Sequence, residues 1–227
     1  MLIGSKAIGT VGIMAGVPAV LTNFCRSLVK MMIFTRESVC SPTQYIHYDE
    51  APFSDHGPAR NHLVANMVGD WLLMLDTDHE FEPDLLVRML KRFEGGKLDV
   101  MTAIYRFRAN PCSPVLYAKN PDDGMVKAIA TYPGNAIFKV DAAGAGCLLV
   151  RRSVFEAIEA MGENSFDRLP GLSEDHSFFR RLEKLGINSW CDSRIECHHL
   201  RVEPVTRDDE DVSTIEHSEP FAVMGRL

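Results

Sequence analysis

Two carboxylates one residue apart, Asp76 and Asp78, close a run of five apolar residues, Trp71-Leu72-Leu73-Met74-Leu75. An apolar run of that length suits a strand covered on both faces of a sheet. Bare carboxylates cannot follow it into the core, because burying an unpaired charge costs more than folding returns. The pair must emerge at the strand's C-terminal end, the edge where open α/β sheets bind ligands. Asp-x-Asp at that edge is chemistry for a divalent cation with an anion beside it. A strand-end turn followed by a helix cap uses the same residues, so spacing alone leaves both open. A calcium loop fails: counting from Asp76, position six is Phe81 instead of glycine and position twelve is Val87 instead of glutamate.

Three further groups carry chemistry. Glu174 and Asp175 follow Ser173 in the first turn of a helix, where the macrodipole stabilises carboxylates whatever their task; a general base is the functional alternative. Cys197-His198-His199 lacks a second thiol at zinc spacing. Adjacent histidines on a strand point to opposite faces, so at most one can complete a carboxylate metal site. Arg60 and Asn61 lie in the first turn of a helix opened by Pro58, where an arginine reaches a phosphate or is simply solvated. No phosphate loop of the Gly-x-x-x-x-Gly-Lys type is present, and Gly144-Ala145-Gly146 lacks the third glycine of a dinucleotide fingerprint.

The elements that position these groups follow from periodicity. Ala7–Met14 reads as a buried strand, with a turn at Ala15-Gly16-Val17-Pro18. Leu21, Phe24, Leu28 and Met31 recur at helical spacing to about Phe34. Tyr45–Tyr48 reads as a strand and Asp49–Gly57 as a loop. Pro83 opens a helix with Leu85, Leu86, Met89, Leu90 and Phe93 inward, stopped by Gly95-Gly96. Asp99–Tyr105 reads as a strand, and the prolines between Arg106 and Lys139, with Asp122-Asp123-Gly124, indicate loops and hairpins. A strand follows Gly146; Ser153 with Glu156 predicts a capping box for the next helix. Ser173 caps a helix with Phe178, Phe179, Leu182 and Leu185 inward. Ile187–Cys191 and Arg194–His199 read as a last strand pair, and the stretch beyond Pro204 is acidic.

Bulk properties exclude several classes. The 227 residues are 46% hydrophobic and 24% charged, without low-complexity tracts, which fits one α/β domain of generous size. A net charge of −7 argues against a nucleic-acid-wrapping surface, while leaving room for a local basic cleft from Arg106-Phe107-Arg108 or Arg151-Arg152. The six cysteines are dispersed with no Cys-x-x-Cys, which predicts free thiols. The apolar stretch Ala7–Leu21 is broken by glycines and Pro18, unlike a signal peptide, and no run approaches the ~20 residues of a membrane span. A cytoplasmic protein is expected.

Taken in chain order, Ala59-Arg60-Asn61, Leu75-Asp76-Thr77-Asp78, Gly144-Ala145-Gly146-Cys147-Leu148-Leu149-Val150-Arg151, Ser173-Glu174-Asp175 and Cys197-His198-His199-Leu200 resemble a GT-A fold glycosyltransferase, of the broad group that includes the family 2 enzymes. The resemblance covers most of residues 7–204. It implies an α/β fold with a Rossmann-like, mostly parallel central sheet flanked by helices and a smaller mixed acceptor-side portion. One catalytic domain would span 1–204, with a nucleotide-binding half (1–105) and an acceptor-binding half (106–204), followed by an acidic tail (205–227).

The resemblance also implies roles. Asp78 and His199 would bind Mn²⁺ or Mg²⁺, with Asp76 on the metal or the donor ribose. Arg60 would face the donor diphosphate, and Ala15 and Gly16 the base. Asp175, or else Glu174, would deprotonate an acceptor hydroxyl, with inversion at the sugar. The donor would be a nucleotide-diphospho-sugar, UDP- or GDP-linked; the acceptor stays open, a nucleic-acid base included. The acidic pair that often follows the second strand is displaced here into His47-Tyr48-Asp49-Glu50. A nucleotidyltransferase is the enzyme alternative, but Ala15-Gly16-Val17-Pro18 lacks the basic residue it should carry after the first strand; a non-catalytic sugar-nucleotide-binding module is the other.

Overall fold

A computed structural model describes residues 5–16, 20–94, 98–120, 122 and 126–200. The Val17-Pro18 turn, the Gly95-Gly96 helix stop, Asp123-Gly124 and the acidic tail lie outside the described residues.

The first half alternates strands and helices: β1 (Lys6–Met14), α1 (Thr22–Val39), β2 (Gln44–Ala51), α2 (His56–Asn66), β3 (Trp71–Leu75), the two-residue β4 (His79–Glu80), α3 (Leu85–Phe93) and β5 (Val100–Ile104). Short strands follow, β6 (Leu116–Lys119), β7 (Val126–Ala128), β8 (Ile137–Val140) and β9 (Ala142–Ala143). Then come β10 (Cys147–Arg151), α4 (Arg152–Glu159), α5 (Glu174–Lys184), β11 (Ser189–Glu196) and β12 (His198–His199). Seven strands form one sheet in the order β2-β1-β3-β10-β5-β11-β8. Only β10 and β8 run against the others, so the sheet is mostly parallel. It is the α/β architecture expected of a GT-A fold. A three-stranded ribbon, β7-β6-β9, stands beside it.

The apolar run of β3 is buried at every residue, and its alternation divides it between two cores. Leu72 and Met74 pack with Leu63, Phe155 and Phe178 on the face covered by α2, α4 and α5. Trp71, Leu73 and Leu75 pack with Phe24, Met31, Leu86 and Met89 on the face covered by α1 and α3. A sheet buried on both faces is why the run is continuous instead of alternating.

Several local expectations shift. Helix α1 continues to Val39, β2 continues through Ala51 where a loop is expected, and α2 starts at His56, with the Asp55 side chain accepting from the Gly57 N–H at 3.3 Å. Arg152 opens α4 with Arg151 at the N-cap, so Ser153 sits inside the helix and forms no capping box. Ser173 does occupy the N-cap of α5, but its hydroxyl donates to the Asp175 side chain. No break separates Cys191 from Arg194: β11 runs through both, and His198-His199 form the separate β12. Asp192, between the two expected strands, is fully buried and neutralised by Arg92 at 2.9 Å and Arg194 at 2.7 Å. All six cysteines are free. Among the described residues, no helix is long and apolar enough to cross a membrane.

Candidate active site

Strand direction brings distant parts of the chain to one edge. Strands β1, β3, β5 and β11 all end there, delivering Ala15-Gly16, Asp76-Thr77-Asp78, Tyr105–Arg108 and Cys197–His199. Because β10 runs antiparallel and pairs Cys147 with Leu75, the residues before it, not after it, stand beside Asp76. The Asp76 N–H donates to the Gly146 carbonyl at 2.9 Å. Glycines are required at this approach: a Cβ on Gly146 would lie 2.6 Å from His79 Cε1 and 2.8 Å from Asp76 Oδ2, and one on Gly144 would run into the Tyr105 hydroxyl. By the same polarity Arg151 and Arg152 stand at the opposite edge. There Arg151 donates to the Leu98 carbonyl and Arg152 to the Gly69 and Met67 carbonyls, so neither joins a basic cleft at the site.

The structure brings Asp78 and His199 together, with His199 Nε2 3.4 Å from Asp78 Oδ2. The pairing of β4 with β12 does this, and the Leu200 N–H donating to the Asp78 carbonyl at 2.7 Å ties the segment down. His198 is turned outward, as strand alternation requires. His79, which the sequence reading passed over, joins them: ligand atoms of Asp78, His79 and His199 all lie within 4.8 Å of one another. The three rings of His79, Tyr105 and His199 pack against each other at centroid distances of 4.7 Å, 4.9 Å and 5.9 Å. Burial pushes the His79 imidazole down to about 4, against the pull of Asp76, and burial also lowers His199. Both are therefore neutral near pH 7.

Arg108, from the basic stretch after β5, closes this group. Its Nε donates to His199 Nε2 at 2.9 Å and its guanidinium pairs with the Asp78 carboxylate. The cleft behind it is lined by Arg106, Phe107, Cys112 and Glu196 as well. Two polar atoms at this site, Asp78 Oδ1 and His79 Nε2, are buried without a hydrogen-bond partner. Orphaned buried acceptors are costly. A carboxylate oxygen and imidazole nitrogens are a donor set that fits a divalent ion.

Asp76 and Arg60 form a second group, in which only the arginine is fully buried. The Arg60 side chain is 3% exposed; it donates to Asp76 Oδ1 at 3.2 Å and pairs with Glu174 at the start of α5. Burial opposes its charge, but Asp76 and Glu174 outweigh that and hold the guanidinium above its ordinary pKa. Arg60 thus lies beneath the edge, orienting two carboxylates, instead of extending toward solvent. Asp76 turns its Oδ1 to Arg60 and is not among the three residues that could hold one ion. Glu174 is buried and committed to Arg60, while Asp175 is half-buried, and its two hydrogen bonds, from Ser173 Oγ and the His176 N–H, both fall on Oδ1.

At the far side of the edge, the Ala15 N–H donates to the Ala51 carbonyl at 2.9 Å, and a Cβ on Gly16 would strike the Phe53 backbone. The ends of β1 and β2 are thus drawn together there. Asp49 of the displaced acidic stretch lies inside β2, with a buried, unpartnered Oδ2.

Comparisons with known proteins bear on the fold and the family. The chain is similar in structure to GalNAc-T7, solved with UDP, GalNAc and Mn²⁺, at a TM-score of 0.56 and 9% identity; the match covers 88% of this chain and 45% of that one. The chain thus spans less than half the length of that protein, and the likeness shows the GT-A fold. A weaker likeness, TM-score 0.48 at 15% identity, covers 94% of this chain and all of the protein A197 from STIV. No curated protein sequence matches. Residues 35–158, more than half of the chain and spanning α2, the Asp-x-Asp edge of β3 and the glycines before β10, match the family described as Glycosyl transferase family 2; the chain belongs to that family.

Proposed function

We propose that the protein transfers a sugar from a nucleotide-diphospho-sugar to an acceptor hydroxyl, with Mn²⁺ or Mg²⁺ and with inversion at the sugar. One observation carries this reading: Asp78 and His199 meet within reach of one ion, beside a second carboxylate, Asp76, that Arg60 holds at the same edge. The structural likeness to GalNAc-T7, whose crystals held UDP, GalNAc and Mn²⁺, supports a nucleotide-sugar donor.

Asp78 and His199 would hold the ion. When bound, it supplies charge to neutralise the leaving diphosphate, several kcal/mol of transition-state stabilisation. Asp76, oriented by Arg60, faces the donor ribose or the ion, and Ala15-Gly16 borders the base. Arg60 acts on the diphosphate side through the carboxylate it positions. Asp175 is the base: with both of its hydrogen bonds on Oδ1, Oδ2 is left to take the acceptor proton. A positioned carboxylate contributes about 10²–10⁴-fold. Glu174, tied to Arg60, is the lesser candidate. A cleft of ≈ 470 Å³ beside α5, lined by Pro170, Leu172, His176 and Phe179, offers space for an acceptor. Residues 1–105 serve chiefly the donor and 106–204 chiefly the acceptor, with His199 reaching back to the ion.

A thermal-shift screen of UDP-, GDP- and TDP-sugars with Mn²⁺ tests the reading. Stabilisation by one nucleotide class, abolished by chelator, is the expected result. Equal donor affinity with and without chelator would show the metal dependence to be wrong.

A further inference from the structure

We propose that His79 is a third protein ligand of the ion, making the site a set of one carboxylate and two imidazoles that prefers Mn²⁺ to Mg²⁺. The inference rests on the metal-dependent reading above and goes beyond it in naming the ligand and the ion it selects.

The backbone makes the placement. Sequence alternation would turn His79 away from Asp78, but the chain leaves β3 at Asp76 and turns through Thr77-Asp78 before starting β4. There His79 is paired directly opposite His199 across the β4–β12 ladder. Directly opposed residues project to the same face, and the two rings are 4.9 Å apart.

Tautomers follow from the partners. His79 Nδ1 is 2.9 Å from the Gly146 carbonyl, and His199 Nδ1 is 2.8 Å from the Arg106 carbonyl. A carbonyl only accepts, so each Nδ1 carries the proton and each Nε2 keeps its lone pair. Metal-bound histidines characteristically donate their other N–H in this way, which fixes ring orientation and raises ligand basicity. On His199 the lone pair takes a hydrogen bond from Arg108. On His79 it has no partner, although the residue is 0% exposed. A buried acceptor left open is costly, and the nearest donor set that an ion could complete is Asp78 and His199. Gly146 is what admits the ring, since any Cβ there would strike Cε1.

The ligand set has a consequence for the ion. Imidazole nitrogen suits transition ions, whereas Mg²⁺ prefers oxygen ligands and retained water. Asp78 and His199 already supply one imidazole; the second, from His79, should raise the preference for Mn²⁺ over Mg²⁺ to about tenfold or more.

Mn²⁺ alone, titrated into the full chain and followed by electron spin-echo spectroscopy, counts the bound nitrogens without any variant. Two imidazole couplings are expected, falling to one in His79→Gln, whose Mn²⁺ affinity should drop about 10–100-fold. One coupling in the wild-type protein, as when a water bridges His79 instead, overturns the ligand assignment and leaves metal-dependent transfer standing. Absence of Mn²⁺ binding, with or without UDP, overturns both.

Discussion

Asp76 and Glu174, on opposite halves of the chain, are held by the one guanidinium of Arg60, buried at the joint between α2, β3 and α5. Removing one partner of such a group leaves uncompensated charge in a dry place, which costs about 3–5 kcal/mol. Arg60→Ala should therefore lose that much stability in urea unfolding. Arg60→Lys keeps the charge but not the fork, and should lose a smaller part. If Arg60→Ala costs no more than a surface change, below about 0.5 kcal/mol, the guanidinium is not organising the edge.

Asp175 is the next residue after Glu174 but lies in a more exposed environment. Asp175→Asn should leave donor binding and the melting temperature unchanged while turnover falls about 10²–10⁴-fold. Undiminished turnover removes Asp175 from the role of base. Donor binding without any turnover in the wild-type protein would instead favour a non-catalytic module.

Arg108 lies where it competes with a cation for Asp78 and His199. The Arg108 side chain is 45% exposed, so its pairing is screened by solvent and worth about 1 kcal/mol or less. Arg108→Ala should tighten Mn²⁺ binding by about 2–5-fold in calorimetry. Weaker binding in this variant would mean that Arg108 supports the site instead of occupying it.

The part of this fold legible in the sequence is the part set by short-range patterning. The five apolar residues of β3, the helical stripes of α3 and α5, and the emergence of Asp76 and Asp78 at a strand end all follow from periodicity and the cost of burying charge. Strand order is different. Nothing local to Cys147–Arg151 says that it inserts antiparallel between β3 and β5, yet that insertion sets Gly146 against Asp76 and His79. Asp192 lies buried inside β11 because Arg194, two residues on, is joined by Arg92, which becomes its neighbour only in the folded protein. His79 carries no signal of its own in the sequence, because the turn at Thr77-Asp78 and the β4–β12 pairing that set it opposite His199 are tertiary. Arg108 was visible as a basic residue, but its partners were not.

Gly146 offers a test of how tightly the site is built. Its amide N–H donates to the Tyr105 hydroxyl at 3.2 Å, its carbonyl faces both the Asp76 amide and His79 Nδ1, and its missing Cβ leaves room for the imidazole. Gly146→Ala must push back His79, Asp76 or β10, and overpacking of this kind costs about 1–3 kcal/mol. The same displacement moves two of the groups that face the ion and the donor, so Mn²⁺ affinity should fall together with stability. Gly134→Ala is the control, since a Cβ there meets nothing within 4 Å; it should change stability by less than about 0.5 kcal/mol and leave Mn²⁺ binding alone. Should Gly146→Ala match that control in both unfolding and Mn²⁺ titration, the contact between β10 and His79 does not position the site.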